Sequence, residues 1–551
     1  RGLILMKVEN VVIVGGGSSG WMTAAALLKL CPWINVVLIE SDKPPIGVGE
    51  STLGHFNKYL IALGLKDEDW MPYCNATYKN SIQFTDFSET GETFQYPFGE
   101  FDFIDKIKGL NDWFDLARND PEKWTPGTFA EFYNVEQSAL VKHNKQWDNR
   151  DNRFRSFDWR TEVAYHLDAE KFGEYLRENI CYKCEGRFTH IVGEVRGTVK
   201  DIIKGGSPAE SNRTIKQLAV RLIEDKRTVG VVGDLFVDCT GFSSVLLEQQ
   251  LGTRFNKFDD LANDKALYAR IPYKTQEERE EIMHCVTDCK GMTNGWAWTI
   301  PLWDRVGVGY CWSSRFAMAT EVIPEFETWI QNKFGVTPDE YEVKEVDVKN
   351  GYHEKAWNLN VVGIGLSYGF VEPLESTGLL TTHENILRLV DVLNRRRGYI
   401  TRLERQWFNY SAQREVIGFN KFVAMHYALS GRDDNPYWRW CTQINEYLWQ
   451  EMDGIVRIND NYERLGSALD LDHGLDTGMG GMNYVAAGNG MMLGKDYYNE
   501  RDPKDLEYLE QKHLEYTKEV EDFVTSDECP SHYEYLRDNI YKGDDIRPEL
   551  I

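Results

Sequence analysis

The sequence predicts an α/β fold in which a parallel-sheet unit, assembled from separated segments, is joined to a largely helical cap. Three stretches carry that prediction. VENVVIVGGGSSGWMTAAALLKLCPWINVVLIESD, at 8–42, reads as strand, glycine turn, helix, strand. DLFVDCTGFSSVL, at 234–246, and VVGIGLSYGF, at 361–370, are two further apolar strands that run into glycine turns.

In the first stretch each glycine has a physical duty. Gly15 permits the tight turn after VVIV, Gly17 lets the backbone approach a pyrophosphate, and Gly20 lets the helix pack closely on the strand. Ser18 and Ser19 open that helix, whose N-terminus faces the phosphates. Glu40 closes the second strand, where an acid accepts hydrogen bonds from ribose hydroxyls. The motif predicts a bound dinucleotide and does not by itself choose between FAD and a nicotinamide nucleotide.

Length and charge narrow the function classes. At 551 residues the chain exceeds what one core spans, which leaves room for an enclosed small-molecule site. A formal net charge of −25 repels nucleic-acid phosphates and anionic lipid, and the longest basic block, RRR at 395–397, does not offset it. No apolar run approaches the roughly 20 residues needed to cross a bilayer. The opening RGLILM lacks a signal-peptide layout and, standing before Met6, reads as an expression remnant. The expectation is a cytoplasmic protein with neither nucleic-acid nor membrane partners. The ten cysteines do not form a disulfide framework, and they are read as reduced thiols. The pairs Cys181/Cys184 and Cys285/Cys289, the latter beside His284, are spaced too loosely for structural zinc, so no metal is expected.

EPLESTG, at 372–378, crowds two carboxylates, a proline, two hydroxyls and a glycine in front of LLTTHENILRLVDVL. One reading is a helix start, because Ser376 and Thr377 are cap residues and the apolar spacing that follows is helical. The other is a reaction site, in which a helix end holds an anion and a carboxylate does chemistry.

Further segments join these in a fixed order: GGGSSGW (15–21), PIGVGEST (45–52), ATYK (76–79), AYHLDAEKF (164–172), DLFVDCTGF (234–242), GWAWTIP (295–301), EPLESTG and HYALSGRDDNPYW (426–438). In them, over about residues 6–440, the chain resembles the flavin-dependent halogenases, specifically the tryptophan-halogenase branch. GWAWTIP is the most specific segment, carrying a WxWxIP signature on Trp296, Trp298, Ile300 and Pro301.

The resemblance implies an FAD-binding fold of the hydroxybenzoate-hydroxylase (glutathione-reductase) type with a helical substrate-binding cap. It places a discontinuous FAD unit with its associated sheet at 6–79, 160–260 and 290–395, and the cap at 80–160 and 396–551. FAD contacts are implied for Gly15, Gly17, Ser18, Ser19, Gly20, Glu40, Asp238 and Gly241, and for Gly47, Val48 and Gly49 in a strap linking the flavin and substrate regions. A separate NAD(P)H-dependent reductase supplies FADH2. Oxidation of a bound halide then gives hypohalous acid, which reaches the aromatic substrate through an internal tunnel.

Within that scheme Lys79 is the catalytic lysine, which hydrogen-bonds hypohalous acid or reacts with it to a haloamine. Read alone, Lys79 is an ordinary surface lysine. Glu375 stabilises the ring cation and helps remove its proton, and Ser376 positions Lys79 or bridges it to Glu375. Thr377 and Gly378 offer backbone N–H groups to chloride, bromide or iodide. Trp296, Trp298 and Pro301 shape the tunnel, although an i, i+2 tryptophan pair is also what a half-buried strand looks like. Glu372 receives no role.

The chain departs from the family pattern in its substrate-binding half. After the YPFG-like start, residues 96–120 diverge, which points beyond tryptophan to indoles, phenols or related electron-rich rings, accepted broadly. GLDTGMGGMNYVAAGNGMMLG, at 474–494, reads as a loop or open cover. DPKDLEYLEQKHLEYTKEVEDFV reads as a helix with a solvated acidic face, or as one packing between subunits, and homo-oligomerisation stays open. Two other functions stay open as well: an aromatic monooxygenase on the same fold and a non-catalytic flavin-binding sensor.

Overall fold

The computed structural model describes residues 4–42, 50–101, 112–201, 214–443, 478–490 and 502–543. The opening motif forms strand Asn10–Val14, helix Ser18–Leu30 and strand Asn35–Glu40. VVIV is buried along its length because it lies inside an eight-stranded sheet. The strand order is Thr228–Val232, Thr214–Leu222, Phe188–Asp201, Asn35–Glu40, Asn10–Val14, Leu235–Asp238, Val361–Gly363, Trp357–Asn358.

The three predicted strand-to-glycine segments come together here. Asn10–Val14 pairs in parallel with Leu235–Asp238, which pairs in parallel with Val361–Gly363, and Val14, Asp238 and Gly363 end in register. Parallel strands in register deliver their turns to one edge, so loops remote in sequence line one crevice. Helix Ser18–Leu30 covers one sheet face and packs on helices Ala169–Leu176 and Thr377–Arg395, its Ala24, Ala25 and Ala26 permitting close approach.

A seven-stranded sheet has the order Lys344–Asp347, Lys265–Pro272, Arg305–Trp312, Gly295–Pro301, Val286–Met292, Ser81–Thr85, Phe94–Pro97. GWAWTIP is its central strand and is buried on both faces, where the tryptophan spacing predicts a half-buried strand. Trp296, Trp298 and Ile300 face the main core, while Ala297 faces a second apolar cluster under helix Ala319–Phe334. That helix covers the side expected to meet solvent. Trp298 lies over its cross-strand partner Gly309, where a Cβ would stand 1.9 Å from the indole ring.

Three expectations are corrected. The helical cap does not begin at residue 80: Ser81–Thr85 and Phe94–Pro97 are sheet strands, as the period-two alternation of Ile82 and Phe84, then Phe94 and Tyr96, requires. Residues between 260 and 290, left outside any unit, supply Lys265–Pro272 and most of Val286–Met292. The stretch at 474–494 is no open cover where it is described, because Gly478–Gly488 is a helix with Met482, Tyr484, Val485, Ala486 and Ala487 buried. Its glycines let it lie against an aromatic strand: a Cβ on Gly481 would be 2.7 Å from the Tyr96 hydroxyl, and one on Gly488 2.2 Å from the Phe94 ring. Close packing offsets the roughly 1 kcal/mol that each glycine costs a helix.

Helix Pro503–Val524 forms as predicted and spends its apolar face within the chain, burying Leu506, Leu509, Tyr516, Val520 and Phe523 as it packs on helices Val135–Lys142 and Asp112–Asn119. Residues Ile4–Lys7, which take in the end of the opening RGLILM, pair antiparallel with Tyr399–Thr401. All ten cysteines are free thiols, and among the described residues no helix is long and apolar enough to cross a membrane.

The stacking of Trp298 on Gly309 generates a test. Gly309→Ala should destabilise by about 1–3 kcal/mol through overpacking, read as a lower midpoint in thermal unfolding.

Candidate active site

The crevice at the sheet edge is shaped for a dinucleotide. A Cβ on Gly15 (φ +117°) would stand 2.1 Å from the Cys239 carbonyl oxygen, and one on Gly20 1.9 Å from that of Gly15. Only glycine fits either place. A Cβ on Gly16 would overlap the Glu40 carboxylate at 1.8 Å, so Gly16 is bare where the first turn meets the acid. Gly17 is the N-cap of helix Ser18–Leu30 and carries no side-chain cap, which leaves that helix end free for phosphate. Glu40 ends its strand with Oε1 2.8 Å from His190 Nε2, at the distance but not the angle of a hydrogen bond. The bare backbone, the uncapped helix end and the acid fit FAD.

Asp238 is a correction. Its Oδ1 accepts from Thr240 N (3.1 Å) and Thr240 Oγ1 (2.6 Å), and its Oδ2 from Leu246 N (2.7 Å) and Leu247 N (2.8 Å). With both oxygens taken by its own turn, this carboxylate shapes the crevice and has no capacity left for the cofactor. Gly241, at φ +63°, completes that turn with open space where a side chain would stand. Gly47, Val48 and Gly49 lie outside the described residues.

Lys79 is wholly buried, the opposite of the surface reading. It ends strand Thr77–Lys79 of a three-stranded antiparallel sheet completed by Ala164–Leu167 and Glu50–Ser51. Its Nζ donates to the Thr52 carbonyl and to Ser376 Oγ, both at 2.9 Å, and lies 5.2 Å from the centre of the Phe98 ring. Burial brings the ammonium down to about 7, opposed by the charges of Glu375 and Cys289. Lys79 is thereby brought close to neutrality, where small changes in its surroundings shift it between ammonium and amine.

Glu375 and Ser376 face apart because the backbone turns sharply between them. Pro373–Glu375 is one turn of 3₁₀ helix, and Ser376 sits at φ +56°, a left-handed conformation that costs a non-glycine residue of order 1 kcal/mol. That turn sends Ser376 Oγ toward Lys79 and Ser51 (3.1 Å) and Glu375 toward His426, whose Nε2 is 2.6 Å from Glu375 Oε1. His426 is fixed by its Nδ1 at 2.7 Å from the Phe422 carbonyl. Glu375 Oε2 is buried without a partner. Ser376 thus holds Lys79 and does not bridge it to Glu375.

Helix Thr377–Arg395 begins immediately afterwards with no side-chain cap. The Thr377 hydroxyl is buried and unpaired, and the place of a Gly378 Cβ is open. Glu372 takes a hydrogen bond from the Tyr427 hydroxyl, interacts with Asn263 and Trp296, and is pushed by burial up to about 7. Trp296 and Trp298, ring centroids 5.8 Å apart, are buried, the indole N–H of Trp298 without a partner, and the Pro301 carbonyl accepts from Thr77 Oγ1 at 2.7 Å. Beside Phe98 stands an aromatic wall: Tyr96 stacks on Tyr484, and Phe101 stacks on Tyr133 and meets Tyr484 edge-on.

The structure therefore brings Lys79, Glu375, Ser376 and Thr377 together, with the glycine cradle in the neighbouring crevice. Sequence reasoning missed four residues: His426 beside Glu375, Ser51 beside Ser376, Thr287, whose Oγ1 is 2.8 Å from Ser51 Oγ, and His166, whose Nε2 is 2.8 Å from Thr287 Oγ1. Three of them stood inside segments quoted for their resemblance, but nothing in their spacing ties them to Lys79 or Glu375. Among the described residues, no three His, Cys, Asp or Glu side chains gather as a metal would require.

Comparison with known proteins points to one family. A family model described as tryptophan halogenase matches residues 10–462. Tryptophan 6-halogenase SttH of Streptomyces toxytricini is 31% identical over 458 residues, covering 78% of this chain and 80% of its own length. Tryptophan 7-halogenase RebH of Lentzea aerocolonigenes is 30% identical over 487 residues, covering 84% and 83%. Among solved structures, apo VirX1 shares 43% identity at a TM-score of 0.85, over 98% of this chain and 100% of that one. Tar14, a tryptophan C-6 flavin-dependent halogenase, shares 27% at a TM-score of 0.75, over 96% and 99%.

The buried ammonium generates a test of stability. Because the folded-state value of Lys79 lies near 7 and its ordinary value is 10.5, the unfolded chain binds more protons between those limits. Lys79→Met should therefore be more stable than the parent, by a few kcal/mol, at pH 7 and below. The advantage should shrink through the window from about 7 to 10.5, as measured by denaturant unfolding at a series of pH values.

Proposed function

The chain belongs to the tryptophan halogenase family and is a flavin-dependent halogenase, and on that premise we propose that it halogenates a free, electron-rich aromatic small molecule of the indole or phenol class. Enzymes of this family take FADH2 from a separate reductase and use a halide ion. Relatives named as tryptophan 6- and 7-halogenases make tryptophan the first substrate to try. The aromatic wall of Tyr96, Phe98, Phe101 and Tyr484 supports flat rings more generally. Cytoplasmic placement belongs to the same reading, supported by ten free thiols.

The observation that carries the proposal is the pairing of a buried lysine and a buried glutamate on either side of Ser376. When bound, the reduced cofactor with dioxygen supplies the two-electron oxidation of halide to hypohalous acid. Gly15, Gly16, Gly17, Gly20, Ser18, Ser19 and Glu40 would hold that cofactor. The uncapped N–H groups of Thr377 and Gly378, with the unpaired Thr377 hydroxyl and room beside Gly378, suit a spherical anion. Trp296, Trp298 and Pro301 wall the space between cofactor and substrate.

Lys79 receives the oxidant, as an ammonium that hydrogen-bonds its oxygen or as an amine that takes the halogen on nitrogen. As the ring carbon binds halogen, the unpaired Glu375 Oε2 stabilises the ring cation and accepts the departing proton. His426 holds Oε1 and so aims Oε2.

The test combines the protein with a flavin reductase, NADH, FAD, oxygen, chloride, bromide or iodide, and a panel of tryptophan, other indoles and phenols, with product masses read out. Halogenated rings are expected, whereas hydroxylated rings lacking halogen would support a monooxygenase. Lys79→Ala should abolish halogenation and Glu375→Gln should lower it by about 100-fold or more, both with FAD affinity retained. Normal turnover by Lys79→Ala would remove this site from the mechanism.

A further inference from the structure

Behind Lys79 the protein interior holds a continuous line of buried polar groups. Lys79 Nζ lies 2.9 Å from Ser376 Oγ, which is 3.1 Å from Ser51 Oγ, which is 2.8 Å from Thr287 Oγ1. Thr287 Oγ1 is 2.8 Å from His166 Nε2. On the far side of the ring, His166 Nδ1 is 3.4 Å from Thr77 Oγ1, which donates to the Pro301 carbonyl at 2.7 Å. All six side chains are buried. The small sheet builds this line, since Ser51 and Thr77 are the cross-strand partners of His166 on its two sides, and Thr287 enters from the seven-stranded sheet.

Its two ends fix the direction of every hydrogen. An ammonium only donates, so Ser376 accepts from Lys79 and gives its own hydrogen to Ser51, Ser51 gives to Thr287, and Thr287 gives to Nε2. A carbonyl only accepts, so Thr77 gives to Pro301 and takes the hydrogen on Nδ1 of His166. His166 is then neutral, with a lone pair on Nε2 at the end of a chain of hydroxyls. Reversing each hydroxyl gives one other consistent state, with His166 as imidazolium and Lys79 as amine. The line accommodates one proton for two ends.

We propose that Ser376, Ser51 and Thr287 form a relay that carries the Lys79 proton to His166 and back, so that His166 takes up the proton as Lys79 passes from ammonium to amine. An N–H bond breaks at Lys79 Nζ, each hydroxyl accepts one proton and releases its own, and an N–H bond forms at His166 Nε2. Lys79 reaches the amine state without admitting water, which would compete for the oxidant. His166 is a positioning residue, and the proposal rests on the reading of Lys79 as the group that meets hypohalous acid. The titratable groups acting on His166 are Lys79 and His532, and those acting on Lys79 are Glu375 and Cys289. Burial and Lys79 hold His166 well below the ordinary histidine value, and loss of charge at Lys79 makes His166 easier to protonate.

Two measurements test the relay. Thr287→Val removes one hydroxyl at nearly constant shape. It should lower kcat by about 100-fold at pH 6 with KM and FAD affinity unchanged, and the loss should shrink by pH 9, where Lys79 is already amine. Thr287→Ser, which keeps the hydroxyl, should restore the parent rate. An unchanged rate in Thr287→Val, or an equal and pH-independent loss in both variants, overturns the proposal. The second measurement needs no turnover: nitrogen-15 spectra of histidine-labelled protein, with His166→Gln for assignment, should show neutral His166 with its hydrogen on Nδ1. A hydrogen on Nε2 overturns the relay even if Lys79 proves essential. If Lys79→Ala halogenates normally while the Nδ1 tautomer is found, the site reading has failed and the hydrogen-bond line has not.

Discussion

The hydrogen bond from the buried Lys79 ammonium to Ser376 is the constraint around which the site is arranged. A cation with no access to water must be satisfied by the protein, and the acceptors come from distant parts of the chain. The Thr52 carbonyl lies just after the Glu50–Ser51 strand, and Ser376 stands at the head of a helix in another region. To make that contact Ser376 adopts a left-handed backbone. The same twist separates Glu375 from Lys79, so two opposite charges share a site without neutralising each other directly. Glu375 is instead anchored by His426 on the long helix Arg402–Leu429.

Much of the fold was legible because its cues are local. VVIV, Gly15, Gly17 and Gly20 announce a strand, a turn and a helix within fifteen residues, and the two later strand-to-glycine runs repeat the pattern. Placing GWAWTIP at the centre of a sheet was harder, since what buries its second face is helix Ala319–Phe334. Gly478–Gly488 misled in the opposite sense: its glycines imply a loop unless the bulky rings of Phe94 and Tyr96 beneath them are known.

The site divides in the same way. Lys79, Glu375, Ser376 and Thr377 could be named from short motifs, and the structure brings them together. His426, Ser51, Thr287 and His166 make their contacts with partners between 51 and 325 residues away, so no spacing rule finds them. Asp238 shows the converse, because a carboxylate at a cofactor-side turn looks like a ligand until its four internal donors are counted.

The glycine-rich helix over Phe94 and Tyr96 works as a spacer with almost no thickness of its own. A side chain added on its inner face would have to lift the helix from the aromatic strand by about its own width. Such a substitution would leave Lys79 and Glu375 untouched while changing the headroom above the rings beside them. A laboratory library confined to this segment would therefore reshape the aromatic wall while Lys79 and Glu375 stayed constant.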